Sequence, residues 1–514
     1  MSNRQVEKYS IFELTFHGQE PVYSYIKVNC SAVFTNGDKK VELKGFYNGQ
    51  GEYIVRFMPD ELGIWTYEVL SSYFDAVEGQ FLCVENKGDN HGPVITKGMF
   101  FEYADGTRYI PIGTTCYAWT HQSEALIEQT KKTLAQSPFN KIRMGVFPKS
   151  LVYNNNDPEH YPFTRKEDGS WDVHRPDFTF WMDLERHIKD LLGMGIEVDL
   201  ILFHPYDRWG FSKFTLEEDL AYLDYCIRRL SAFRNIWWSL ANEYDTVFNK
   251  PSEDWDTFGE FVSSHDPYKH LISNHNCMHL YDFKKPWITH CSIQSPYVHR
   301  TLEWRNEFQK PVIVDECGYE GNIEEPWGHL SPFEMVHRFW AVTSKGGFCS
   351  HGETYYRDDE VLWWAKGGEL RGESVERIAF LKEVLYSLNG EIQPQESKIL
   401  MDPNDLESTD DQEIQNNPAL KAWFAKFTAL DWENYKLHNN TYRAKHGDNY
   451  QLVYLGKSCQ VTCTLELPEN IEYNIDLIDV WTMTRETVIA RASGKTKVQL
   501  PGKEGMAVIA TMIQ

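Results

Sequence analysis

A chain of 514 residues is too long for one ordinary domain and long enough for a large barrel with one or two smaller modules. Its 51 Lys and Arg against 75 Asp and Glu leave a net charge of −24, which repels nucleic-acid phosphates and anionic membranes and favours neutral ligands over polyanions. Aromatic residues make up 14%, with 17 Trp and 28 Tyr, enough rings to line concave surfaces as well as fill cores.

The first residues, MSNRQVEKYSIFELTF, contain no apolar run followed by a small-residue cleavage site, so no secretory signal is expected. No stretch of about 18 apolar residues occurs further on, so no membrane span is expected either. The ten Cys are scattered and mostly embedded in apolar segments, as reduced, buried thiols are, and a cytoplasmic protein is the expectation. Residues 1–95 alternate apolar and polar positions with Gly and Asn turns, as in "KKVELKGFYNG" and "GEYIVRFMPDELGIWTYEVL". Short strands at that spacing predict an antiparallel β-sandwich, ended by the polar linker "ENKGDNHGP".

Over 96–394 the pattern changes to helices alternating with short apolar runs, which predicts a parallel sheet. Leu184, Ile188, Leu191 and Leu192 share one helical face before Gly193 and Gly195, and the next helix opens on Thr215 and Glu218, a capping-box spacing. Eight candidate strands follow in order: RYIPIGTT, NKIRMGVF, VDLILFH, NIWWSLANE, KHLISNHN, ITHCSIQS, KPVIVDE and GGFCSHGE. Eight is the number that closes a (β/α)8 TIM barrel. The acidic connector MDPNDLESTDDQEIQNNP, a helix over ALKAWFAKFTAL and five further strands then make 395–514 a connector and small C-terminal β-domain.

Active sites of such barrels sit at the C-terminal strand ends. In order, these ends supply Thr114 and Thr115, Arg143, His204 with Tyr206 and Asp207, Asn242 and Glu243, His275, Gln294, Asp315 and Glu316, and His351 and Glu353. Two carboxylates across a cleft are what glycoside hydrolysis needs, one protonated to assist the departing oxygen and one ionised to attack the anomeric carbon or activate water. Glu243 and Glu316 fit those needs.

At "ANE" (241–243) ending strand 4 and "VIVDE" (312–316) ending strand 7, the sequence resembles the retaining (β/α)8 glycoside hydrolases, whose acid/base and nucleophile occupy those two ends. The phrases "NEYD" and "DECGYEGN" narrow the resemblance to apiosidase-like and endoglucanase-like barrels carrying an N-terminal β-sandwich and a C-terminal β-domain. The resemblance implies Glu243 as acid/base, Glu316 as nucleophile and Arg143 beside the nucleophile. Arg143, His204, Asn242, His275, Tyr297, Glu353, Trp119 and Trp364 are the candidate substrate-binding residues, with Trp209 and Trp363 as further rings; Trp is otherwise often core. A short plant-type oligosaccharide or glycoside is the expected partner, without nucleic acid or membrane, and no cofactor or metal is required. Two alternatives stand beside this reading: a sugar-binding barrel without catalysis, and a metal-dependent hydrolase using His204, His275, His351 and Glu316. Against the metal reading, strand 1 ends in GTTCYAW without an H-x-H pair and no HExxH occurs.

Overall fold

The computed structural model describes residues 4–395, 417–438 and 442–513; the acidic connector at 401–418 lies outside them apart from its last two residues. The chain divides into two compact units, one of residues 1–296, 307–332 and 348–375, the other of 297–306, 333–347 and 376–514. The second unit therefore takes in segments that the sequence pattern groups with the barrel.

The first unit opens with a five-stranded and a three-stranded sheet. Phe34, Trp65, Val69 and Phe81 from one, and Phe12, Tyr47, Tyr53, Val55 and Phe57 from the other, fill a single core, as the alternation predicts for a sandwich. Arg56 of the sandwich reaches Glu185 at 2.8 Å, and Arg229 reaches the same carboxylate at 2.7 Å. Glu185 lies on helix Phe178–Gly193 and Arg229 on helix Leu216–Leu230, so three buried charges join the sandwich to the helices outside the barrel.

Eight parallel strands form the barrel: β1 (Ile112–Thr115), β2 (Lys141–Gly145), β3 (Glu197–Phe203), β4 (Ile236–Ala241), β5 (Ile272–Ser273), β6 (Cys291–Gln294), β7 (Val312–Glu316) and β8 (Phe348–His351). Their ladder runs β5-β4-β3-β2-β1-β8-β7-β6, and a single bridge between His275 and Ser292 joins its two ends. The strands are buried on both faces, which is why β4 reads as an unbroken apolar run. The helix before β4 starts with the expected capping box, Thr215 Oγ1 accepting from the Glu218 N–H and Glu218 accepting from the Thr215 N–H.

The second unit holds a six-stranded sheet and a two-stranded sheet that share a core including Leu465, Ile475, Val498 and Val508. The helix expected over 419–430 is two helices, Pro418–Phe424 and Ala429–His438. Thr428 starts the second by exchanging hydrogen bonds with Asp431, a cap that interrupts the apolar pattern. Strand Thr484–Ala492 escaped the sequence pattern because it is exposed almost throughout and has no apolar face to alternate. No described helix is long and apolar enough to cross a membrane.

Candidate active site

Strand β4 delivers Asn242 and Glu243 to the C-terminal end of the barrel without a Gly or Pro because Glu243 itself makes the turn. Its backbone sits in the left-handed region (φ 54°, ψ 56°), uncommon for a residue with a side chain and held only where the surroundings demand it. The surroundings here are three hydrogen bonds: Asn242 N–H to Phe203 O at 2.9 Å, Glu243 N–H to His275 Nδ1 at 3.3 Å, and Tyr244 N–H to His275 O at 2.8 Å. The second bond also sets the imidazole. With Nδ1 accepting, a neutral His275 carries its proton on Nε2, which lies 3.8 Å from Glu316 Oε1. Burial, then Arg143, pushes His275 well below the usual imidazole range, so the ring is neutral.

A column of charges leads up the barrel interior to Glu316. Lys141 on β2 stands 2.6 Å from Asp199 and 2.7 Å from Asp315, and Arg143, two residues on and therefore on the same face, lies 3.5 Å from Asp199 and 3.7 Å from Glu316. Asp315 also accepts from Ser292 and Ser350 at 2.6 and 2.8 Å. Burial alone would raise Asp315, but Lys141, Arg143 and these donors hold it well below the usual carboxylate range. Asp315 is thus committed to the barrel interior, and Glu316 is the strand-7 carboxylate not tied to Lys141. Burial pushes Glu316 up to about 8, with the Tyr319 hydroxyl acting in the other direction, and Arg143 Nη1 lies 3.7 Å from its Oε1.

Tyr117, just past β1, ties the two strand ends together. Its hydroxyl donates to Glu316 Oε1 and lies 3.0 Å from Asn242 Oδ1, which Arg143 also approaches at 3.3 Å. Asn242 Oδ1 is therefore the shared acceptor of these two side chains. Tyr206, past β3, donates its hydroxyl to Glu243 Oε2. Trp364 stands edge-on to Tyr117, 6.1 Å between centres, and packs with Tyr319 and Trp327 into an aromatic wall. Between these rings lies Lys149, its Nζ 3.5 Å from the centre of Tyr117, 4.2 Å from Tyr206 and 4.8 Å from Trp364. Tyr117 and Lys149 were not marked by sequence reasoning. The available signal was their place in the loops that follow β1 and β2, the loops that build the site in this fold.

Four expected ligand contacts sit differently from the sequence expectation. Trp119 is fully buried, its ring 5.1 Å from that of His187, and has no face to offer a sugar. Glu353 turns away from the cleft: its two oxygens accept from the Arg371 and Gly372 N–H groups at 2.6 and 2.8 Å, in a backbone turn that no strand-end pattern reveals. His204 spends its Nε2–H on the Phe147 carbonyl at 3.1 Å, and burial lowers it to about 4. Tyr297 belongs to the second unit, where it is 60% exposed beside His299. The four metal ligands of the alternative reading do not converge as named; among the described residues the group with that capacity is Glu320, His351 and Glu353, whose ligand atoms lie within 4.8 Å of one another. Glu320 there already accepts from Tyr355 and from the Glu373 and Ser374 N–H groups.

The family model for the apiosidase-like catalytic domain matches residues 96–389. Two domains of unknown function, DUF5060 and DUF5605, match 5–72 and 438–511. Among solved structures, a proposed glycoside hydrolase from Bacteroides vulgatus ATCC 8482 is 33% identical over 99% of this chain and 100% of its own, with a TM-score of 0.87. A glycoside hydrolase family 5 protein from the same organism is 14% identical over 82% of this chain and 94% of its own, with a TM-score of 0.59, a likeness of fold. No curated protein matches the chain.

Proposed function

The chain belongs to the apiosidase-like family of glycoside hydrolases, and we propose that it cleaves O-glycosidic bonds of short plant-type oligosaccharides or glycosides by a retaining double displacement. The observation that carries this is one hydrogen-bonded set joining the ends of β4 and β7: Glu243 held by Tyr206, Glu316 held by Tyr117 and flanked by Arg143 and the His275 Nε2. In the first step Glu316 attacks the anomeric carbon while Glu243 gives its proton to the departing oxygen. In the second, Glu243 takes a proton from water, the water oxygen bonds to the anomeric carbon, and Glu316 leaves as the carboxylate. Arg143 stabilises Glu316 as an anion between turnovers, and Tyr117 orients the attacking oxygen.

Removing each carboxylate tests the assignment. Glu243→Ala keeps first-step activity on an aryl glycoside with a good leaving group and stalls at the covalent intermediate. Azide, which needs no base, then restores turnover and gives a glycosyl azide of retained configuration. Glu316→Ala is nearly inactive on every substrate, and any azide product is inverted. Retained turnover in Glu316→Ala overturns the assignment, and no turnover of any glycoside by the native chain points to a sugar-binding barrel instead.

A further inference from the structure

We propose that Lys149 is an anion receptor in the cleft and that the sugar whose bond is cleaved carries a carboxylate, as a glycosiduronate does. This rests on the reading of Glu243 and Glu316 as the catalytic pair.

The first support is the company Lys149 keeps. Other buried cations of the same unit each have a carboxylate within ion-pair distance: Lys141 has Asp199 and Asp315, Lys250 has Asp219, and Arg56 and Arg229 share Glu185. Lys149 is only 5% exposed, yet among the described residues no carboxylate lies within that distance and no acceptor hydrogen-bonds its Nζ. Its charge rests on the faces of Tyr117, Tyr206 and Trp364. Cation–π contact returns part of the cost of taking an ammonium out of water, but rings accept no N–H bond in the way an oxygen does. Burial accordingly pushes the group down to about 7, with Glu243 acting in the other direction, so an arriving anion would favour the charged form.

The second support is where the ammonium is held. Two of its three rings carry the hydroxyls that donate to Glu316 and Glu243, so Lys149 is one ring away from each carboxylate. The loop that carries it is pinned, with the Lys149 carbonyl accepting from Asn154 Nδ2 at 2.5 Å and the Ser150 N–H donating to Tyr206 O at 2.8 Å. A neutral hydroxyl needs no such charge, because an uncharged N–H donor serves it without the cost of burying a cation. A carboxylate on the sugar provides the missing acceptor. The chain's net charge of −24 acts at long range and is screened within about 8 Å at physiological salt, whereas the ammonium acts inside the cleft.

The test pairs nitrophenyl glucuronides with glucosides and nitrophenyl galacturonides with galactosides, in both anomers, and adds calorimetric titration of the free acids and free sugars. The native chain is expected to prefer the acid of a pair by about 100-fold in kcat/KM, and Lys149→Met to collapse that ratio toward one, with Lys149→Arg recovering part of it. Equal or better turnover of the neutral sugars by the native chain overturns the proposal and leaves the hydrolase reading intact. If no glycoside is turned over, titration decides: a free acid that binds the native chain and not Lys149→Met sustains the receptor while the hydrolase reading falls, and acids that bind no better than neutral sugars overturn it. Should Lys149→Met fail to fold, Lys149→Gln and the native titrations carry the same comparison.

Discussion

Replacing Arg143 with Met keeps the length of the side chain and removes the charge that faces Glu316 across 3.7 Å. Two unit charges at that separation interact by about 4 kcal/mol at an effective dielectric constant of about 20, or about three pK units. Asp199, 3.5 Å from Arg143 Nε, shares the guanidinium, so the share reaching Glu316 is smaller, about one to two pK units. The sign follows from the role. A nucleophile must be ionised, kcat/KM falls as pH drops through its pKa, and losing a neighbouring cation raises that pKa, so the acid limb moves to higher pH. The pH dependence of kcat/KM on one aryl glycoside, measured for the native chain, Arg143→Met and Arg143→Lys, separates charge from contact. The limb moves up by about one to two pH units in Arg143→Met and stays near its native position in Arg143→Lys. An unmoved limb in a folded Arg143→Met variant refutes the electrostatic account, whatever the loss in rate.

Trp119→Ala should destabilise the fold by about 3–5 kcal/mol, the cost of emptying a fully buried indole site, while leaving KM near its native value; a raised KM at unchanged stability would return Trp119 to the ligand contacts. Glu185 supplies a pH-dependent tie between sandwich and barrel helices. Burial alone would raise it, but Arg229 and Arg56 hold it down from 4.5 to about 2, so its contribution, about 3 kcal/mol, is full above pH 4.5 and is lost as pH falls toward 2. Denaturation of native chain and Glu185→Gln across that window should show the two stability curves converging as pH falls, and parallel curves would show that Glu185 is not titrating there.

The strand grammar of the barrel lies in the chain itself, because a strand buried on both faces must be apolar throughout and Asn242, Glu243 and Glu316 then stand out where those runs end. All eight strand ends face one mouth, so strand order does not choose among their polar residues; the resemblance to the retaining (β/α)8 glycoside hydrolases singles out Glu243 and Glu316 as a pair. Direction of the side chain was not legible. In the sequence Glu353 closes the eighth apolar run much as Glu316 closes the seventh, yet it lies past β8 with both oxygens taken by the backbone N–H groups of residues 371 and 372, a contact made by a distant turn. Trp119 and Trp364 are both loop indoles in the sequence, and only packing decides that one lies under His187 and the other beside Tyr117. The same holds for Lys149. In one dimension it is another lysine after an apolar run, and only when the loops after β1, β2, β3 and β8 meet at the barrel mouth do three rings close around its charge. Local pattern determines which residues reach the mouth, because burial is written in periodicity; which of them meet is a matter of long-range contact, and periodicity carries no record of it.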